Sequence, residues 1–170
     1  MHGSIPNLFV RETVFDKLLE ASKYLPQGYK LCVFDAWRPL AVQMELFERV
    51  YKKIQKENPT YHEGQLIEET TKIILAPTTS TNNPYIHSTG GAIDVSIVDN
   101  FGNKLDMGTD YAFKSEISKT NYFEQILKNK NVRNNRRLLF DLMTSVGFTN
   151  LPTEWWHYDY GTKFWAYFKN

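Results

Sequence analysis

Residues 92–98 alternate strictly, with Ile93, Val95 and Ile97 on one side and Ala92, Asp94 and Ser96 on the other. That period of two marks a strand with one apolar and one polar face. Such a strand needs neighbours to pair with and a layer to cover its apolar side. Helical spacing supplies that layer. Residues 13–25 repeat Val14, Leu18, Ala21 and Leu25, with Thr13 and Asp16 as a capping pair, before the break at Pro26-Gln27-Gly28. Leu31 to Ala36 reads as a short buried strand, and Pro39 suits the first position of a new helix. The apolar stripe of that helix is Leu40, Met44, Phe47, Tyr51 and Ile54, and it ends before Pro59. Residues 63–75 form a further helix closed by Pro77, and 134–146 another, with Leu138, Leu139, Leu142 and Val146 inside and Gly147 as its stop. After a turn at 100–103, Lys104 to Met107 returns as a second strand; residues 108–130 show no clear pattern; 155–168 read as β-rich, broken at Asp159 to Thr162. Helices and strands do not alternate regularly, so the expected class is α+β rather than parallel α/β.

The chain has 170 residues, the length of a single domain spanning 1–170, and is large enough to bury a core without staples. The net charge is +1, from 20 basic and 19 acidic residues, so the basic excess of a nucleic-acid binder is missing. One cysteine, Cys32, excludes an internal disulfide and a cysteine metal cage. No apolar run approaches the roughly 20 residues that span a bilayer, and Met1 to Asn7 shows no signal peptide. The expectation is a protein without nucleic-acid or membrane partners, cytoplasmic by default, with no pattern that sets an oligomeric state.

Four histidines are present, and two have acidic company. His2 and His62 read as solvated side chains. His87 precedes Ser88-Thr89-Gly90-Gly91, and the glycines let the chain turn so that His87 can meet Asp94. A carboxylate near a core wants a cation or a metal; a loop histidine with Asp94 paired to an arginine fits the same residues. His157 follows Glu154-Trp155-Trp156, an offset of three that brings Glu154 and His157 to one site only if the chain bends. A satisfied core histidine among aromatics fits this segment equally. Taken together, His87, Asp94 and His157 offer two imidazoles and a carboxylate, which leaves one position of a tetrahedral zinc open for water. Glu154 is then a spare carboxylate suited to general-base work on that water, inside tryptophan walls that lower the dielectric. Arg38, where a strand hands over to a helix, can hold a substrate carboxylate or an oxyanion, or simply pair with Asp35 or Asp94.

His87-x6-Asp94, Glu154-Trp155-Trp156-His157 and Asp35-Ala36-Trp37-Arg38-Pro39, in that combination, resemble the D-alanyl-D-alanine dipeptidases of the VanX type, a class of zinc D,D-peptidases that shares its fold with the Hedgehog signalling domain. The resemblance runs from about residue 8 to about residue 160 and takes in Leu105-Asp106-Met107-Gly108-Thr109 and the stretch from Asn135-Arg136-Arg137-Leu138 to Gly147-Phe148. It implies a small central antiparallel sheet flanked by helices. It implies one zinc per chain on His87, Asp94 and His157, Glu154 as catalytic base and Arg38 as stabiliser of the transition state. It implies hydrolysis of D-Ala-D-Ala or a similar small peptide, with D,D- or L,D-carboxypeptidase action on longer peptidoglycan stems as the alternative. A zinc-stabilised binding module is the non-catalytic reading. The chain departs from the family pattern at Trp37, where tyrosine is usual, and at Ala112, where an acid that holds the substrate's amino group is expected. Asp110 and Tyr111 are the nearby candidates for substrate contact. The chain also begins close to its first helix, which points to a more open cleft and weaker discrimination against N-blocked substrates.

Overall fold

The computed structural model describes residues 6–125 and 129–169. Helix α1 (Glu12–Tyr24) leads into strand β1 (Tyr29–Asp35), then α2 (Leu40–Glu57) and α3 (Glu63–Ile73). A one-turn 3-10 helix, Ile86–Thr89, precedes β2 (Ala92–Asp99); α4 (Lys130–Ser145), β3 (Thr149–Asn150), β4 (His157–Asp159) and α5 (Lys163–Lys169) complete the order. The four strands form one antiparallel sheet in the order β1-β2-β4-β3. This is the α+β arrangement, with β2 in the middle.

The apolar residues of β2 behave as their alternation predicts: Ile93, Val95 and Ile97 are fully buried, in one cluster with Val14 and Ala21 of α1 and Leu139, Leu142 and Met143 of α4. The opposite face is not solvated, because Ala92, Asp94 and Ser96 are buried too. A polar face inside the protein demands partners, and these make the site described below.

Several elements differ from the sequence reading. Arg11, not Thr13, stands at the N-cap of α1 and makes no side-chain cap. Its side chain instead donates to the carbonyls of Thr89 and Gly161 at 2.8 and 3.1 Å, and its backbone N–H to Gly90 at 3.0 Å. In α2 the buried residues are Val42, Gln43 and Ile54, while Met44 is 54% exposed. The helix is phased by Gln43, whose amide donates to Leu75 O at 2.6 Å and accepts from Arg38 at 2.8 Å. Lys104 makes only an isolated bridge to Val98, not a second strand. Helix α4 begins four residues earlier than its apolar pattern, at Lys130 after a left-handed Asn129, and Gly147 at φ 99 closes the turn after it. The aromatic segment 155–168 is a short strand followed by a helix. Trp165 there sends its indole N–H to Gly147 O at 2.8 Å, so aromatic enrichment serves packing rather than pleating. His2 lies outside the described residues. His62 caps α3, its ring accepting from Gln65 N–H.

Candidate metal centre and active site

Antiparallel pairing sets Asp94 opposite His157 on β4 and Asp35 on β1 opposite Asp94, with a bulge at Phe34. His87 enters from the 3-10 turn, which Gly90 leaves in a left-handed conformation at φ 67. A Cβ at Gly91 would lie 2.7 Å from Tyr160 O and 2.8 Å from Thr162 Cγ2, so only glycine lets the turn pack there.

Both imidazoles are fixed from behind. His87 Nδ1 lies 2.8 Å from Ala36 O; a carbonyl only accepts, so Nδ1 donates and Nε2 keeps its lone pair. That Nε2 is 3.6 Å from Asp94 Oδ1. His157 Nε2 lies 3.0 Å from Asp159 Oδ2, and its Nδ1 is 3.0 Å from Asp94 Oδ1. One ligand atom each from His87, Asp94 and His157 falls within 4.8 Å of the others, and all three residues are buried. Tyr111 donates to Asp94 Oδ2 at 3.0 Å, stacks on Phe34 and stands edge-on to Trp156.

The electrostatics favour positive charge at this point. Burial opposes charge on His157, but hydrogen bonds to Asp159 and Asp94 outweigh it and raise the imidazolium to about 10. Burial likewise opposes charge on Asp94, yet His87, His157 and Arg38 together hold its carboxyl at about 2. His87 is shifted down, by burial first. A proton on His157 Nδ1 therefore sits between groups that a divalent ion would join. Two imidazoles and one carboxylate, each held by an outer partner, fit zinc with an open coordination position.

Arg38 is anchored at the rim. Its Nε and Nη2 donate to Asp35 Oδ2 at 2.9 and 2.6 Å, and Nη1 donates to Gln43 Oε1 at 2.8 Å. Burial is outweighed by the charge and hydrogen bonds of Asp35, so the guanidinium is held charged. Of five N–H donors, two remain beyond these bonds. Glu154 sits in paired turns, its N–H donating to Leu151 O and its carbonyl accepting from His157 N–H at 3.2 Å. The chain thus bends between Glu154 and His157. The Glu154 carboxylate is mostly buried and pairs with Lys114. Asp110 is exposed on the lining of a cleft of about 470 Å³ that also includes Tyr111, Ser96 and Trp155. The structure therefore gathers His87, Asp94, His157 and Tyr111 and puts Arg38 within their electrostatic reach; it leaves Asp110 at the surface.

Three residues that pair with the candidate site residues escaped the sequence reading. Asp159 follows His157 by two, so period-two spacing placed it on the same strand face, but it read only as part of a break. Gln43 and Lys114 lie in a helix and a patternless loop with no local signal for their roles.

Two solved structures share the fold, both 17% identical: a variant of the vancomycin-resistance D,D-pentapeptidase VanY from the VanB-type cassette, in complex with Zn(II), and VanYB in complex with D-alanine-D-alanine. Their TM-scores are 0.50 and 0.51, and each match covers 88% of this chain and 69% and 68% of the other. Among curated proteins, a D-alanyl-D-alanine dipeptidase of Synechocystis is 31% identical over 82% of this chain. Dipeptidases of the same name from Escherichia coli and Enterococcus faecalis are 29% and 30% identical over 78% and 77% of it. The chain spans 63%, 55% and 62% of the length of these relatives. Residues 7–167 match the peptidase M15 family, described as D-ala-D-ala dipeptidase, and with His87, Asp94 and His157 converging inside that span the chain belongs to this family.

Proposed function

We propose that the protein is a zinc peptidase that hydrolyses D-alanyl-D-alanine or a similar small peptide. The observation that carries this reading is the buried convergence of His87 Nε2, Asp94 and His157 Nδ1, with every other polar atom of the two imidazoles already engaged. Zinc, when bound, supplies a Lewis acid that polarises the scissile carbonyl and makes water a stronger nucleophile at neutral pH. Glu154 takes the proton of the attacking water and passes it to the leaving amine. Arg38, braced by Asp35 and Gln43, turns its spare N–H donors to the developing oxyanion. Tyr111 holds Asp94 through its hydroxyl.

A second reading, carboxypeptidase action on longer stem peptides, draws support from the 108–114 loop. Ala112 carries no polar side chain, Asp110 is exposed, and the Tyr111 hydroxyl is spent on Asp94. These residues do not form a buried carboxylate cage for a substrate ammonium.

The test combines metal content and turnover. His87→Ala and His157→Ala should each lose zinc and activity while keeping the fold by circular dichroism. Glu154→Ala should keep zinc and lose kcat by about 10²–10⁴-fold, the range of a general base. Comparing D-Ala-D-Ala with its N-acetyl form and with a pentapeptide separates the two readings. Zinc retained by the double histidine variant, or full turnover without Glu154, overturns the assignment.

A further inference from the structure

Lys114 touches the proposed base. Its Nζ lies 2.5 Å from Glu154 Oε1, with the lysine side chain 38% exposed and the glutamate 13%. The same ammonium also donates to Ile73 O, at the C-terminal end of α3, where helix carbonyls lack intrahelical partners and favour a cation. Of its three N–H donors, these contacts take two.

The backbone around Lys114 is tied to the turn that carries Glu154. Trp155 N–H donates to Ser118 O at 3.0 Å, Thr120 N–H to Pro152 O at 3.0 Å, and the Trp155 indole to Thr109 Oγ1 at 2.8 Å. Ser118 Oγ donates to Phe113 O, next to Lys114. The two backbone segments that carry Lys114 and Glu154 are therefore tied to each other.

A base that takes a proton from water and delivers it to the leaving amine must stand on the leaving-group side of the scissile bond. A long side chain in contact with that base is within reach of the same region. When the released residue is the last of the peptide, its amine is one carbon from a free carboxylate. A partly exposed ammonium with a spare donor is suited to that group.

We propose that Lys114 is a specificity-determining residue that binds the C-terminal carboxylate of the peptide on the leaving-group side, so that substrates ending in a free acid are selected over those that continue or end in an amide. This rests on the reading of Glu154 as the base. It deepens that reading by naming the side chain that recognises the free carboxylate of the departing residue.

The experiment uses the full chain loaded with zinc. kcat/KM is measured for D-Ala-D-Ala and for D-alanyl-D-alaninamide, in wild type, Lys114→Met and Lys114→Arg. Removing the cation also changes the surroundings of Glu154, so the ratio of acid to amide is the informative quantity, since both substrates share that change. Wild type should favour the acid by about 10- to 100-fold, the range of one hydrogen bond between charged groups. In Lys114→Met the ratio should fall to within about threefold, with the loss for the acid mainly in KM, and Lys114→Arg should restore most of it. In parallel, calorimetry follows binding of D-alanine and D-alaninamide to the same proteins, and this arm decides the proposal whether or not turnover occurs. D-alanine should bind wild type and Lys114→Arg measurably more tightly than Lys114→Met. A ratio or a D-alanine affinity unchanged in folded Lys114→Met overturns the role of Lys114 while leaving the peptidase reading in place. Absence of any hydrolysis, with D-alanine binding still dependent on Lys114, overturns the peptidase reading alone.

Discussion

Asp159 is 1% exposed and spends both carboxylate oxygens inside the protein, one on His157 Nε2 at 3.0 Å and the other on the Thr162 hydroxyl at 2.7 Å. The Thr162 oxygen in turn accepts from Trp165 N–H at 3.1 Å, within the first turn of α5. That charge keeps a proton on Nε2, so Nδ1, which faces Asp94, is the nitrogen that a metal would take. An outer partner of this kind orients a ligand and raises its basicity, and its loss costs about 10- to 100-fold in metal affinity. Asp159→Ala should therefore weaken zinc binding by that factor in a chelator competition, with Asp159→Asn intermediate because its amide oxygen still accepts. Unchanged zinc affinity in a folded Asp159→Ala would show that His157 needs no such support. The same residue marks a limit of reading from sequence. Glycines and strand alternation let His87 meet Asp94 on paper, whereas His157 joined them through the chemistry of a zinc ligand set and the family resemblance. Asp159 was one step of the same alternation further on, but β4 is too short to display a period of its own.

Arg136, on α4, does for the 107–119 segment what Asp159 does for His157. Its guanidinium donates to three backbone carbonyls, Met107 at 2.7 Å, Lys119 at 2.7 Å and Ile117 at 2.9 Å, and lies 4.7 Å from the Phe123 ring centroid. The segment has almost no regular structure of its own, so these bonds give it a shape and carry Tyr111 and Lys114 into position. Arg136→Leu removes the donors and leaves carbonyls unpaired. We expect a loss of about 2–5 kcal/mol in urea unfolding, and a protein that remains folded should hold its zinc but discriminate poorly among substrates. A loss below about 0.5 kcal/mol, typical of an ordinary surface change, would mean that the segment is held by other contacts. Helices α1 and α3 and strands β1 and β2 lie within a few residues of expectation, α1 and β2 by their periodicity and the others by run and break signals. In α2, Ile54 is buried and Leu40, Phe47 and Tyr51 are half-buried as expected; Met44 is exposed, and the buried Gln43 has no sequence signal, because hydrophobic spacing says nothing about a polar side chain that braces an arginine. The last segment was misread because aromatic residues suit strands and packed helices alike. The 108–114 loop was opaque because it takes its conformation from Arg136 and Trp155, which are distant in sequence.

Across the whole molecule, the ionisation of the centre sets how stability depends on pH in the metal-free state. His157 is raised to about 10 from an ordinary 6.5, so the stability it contributes is fully present below about pH 6.5 and is lost as pH rises through about 10. Asp94 is lowered to about 2 from 3.8, so its contribution is present above about pH 4 and is lost as pH falls through about 2. The denaturation midpoint of metal-free protein should fall between pH 7 and 10, whereas zinc, which needs a deprotonated His157, should flatten that decline. A metal-free midpoint that is constant or rises over this range would contradict the protonated His157. The residues involved are also far apart along the chain: His87 meets Ala36 across 51 residues and His157 meets Asp94 across 63. No short peptide from this chain contains the whole centre. Pairings that distant close late and slowly in folding, after local helices have formed. An ion held by these residues would meet the sheet only after those distant pairings have closed, so refolding rates measured with and without zinc should agree.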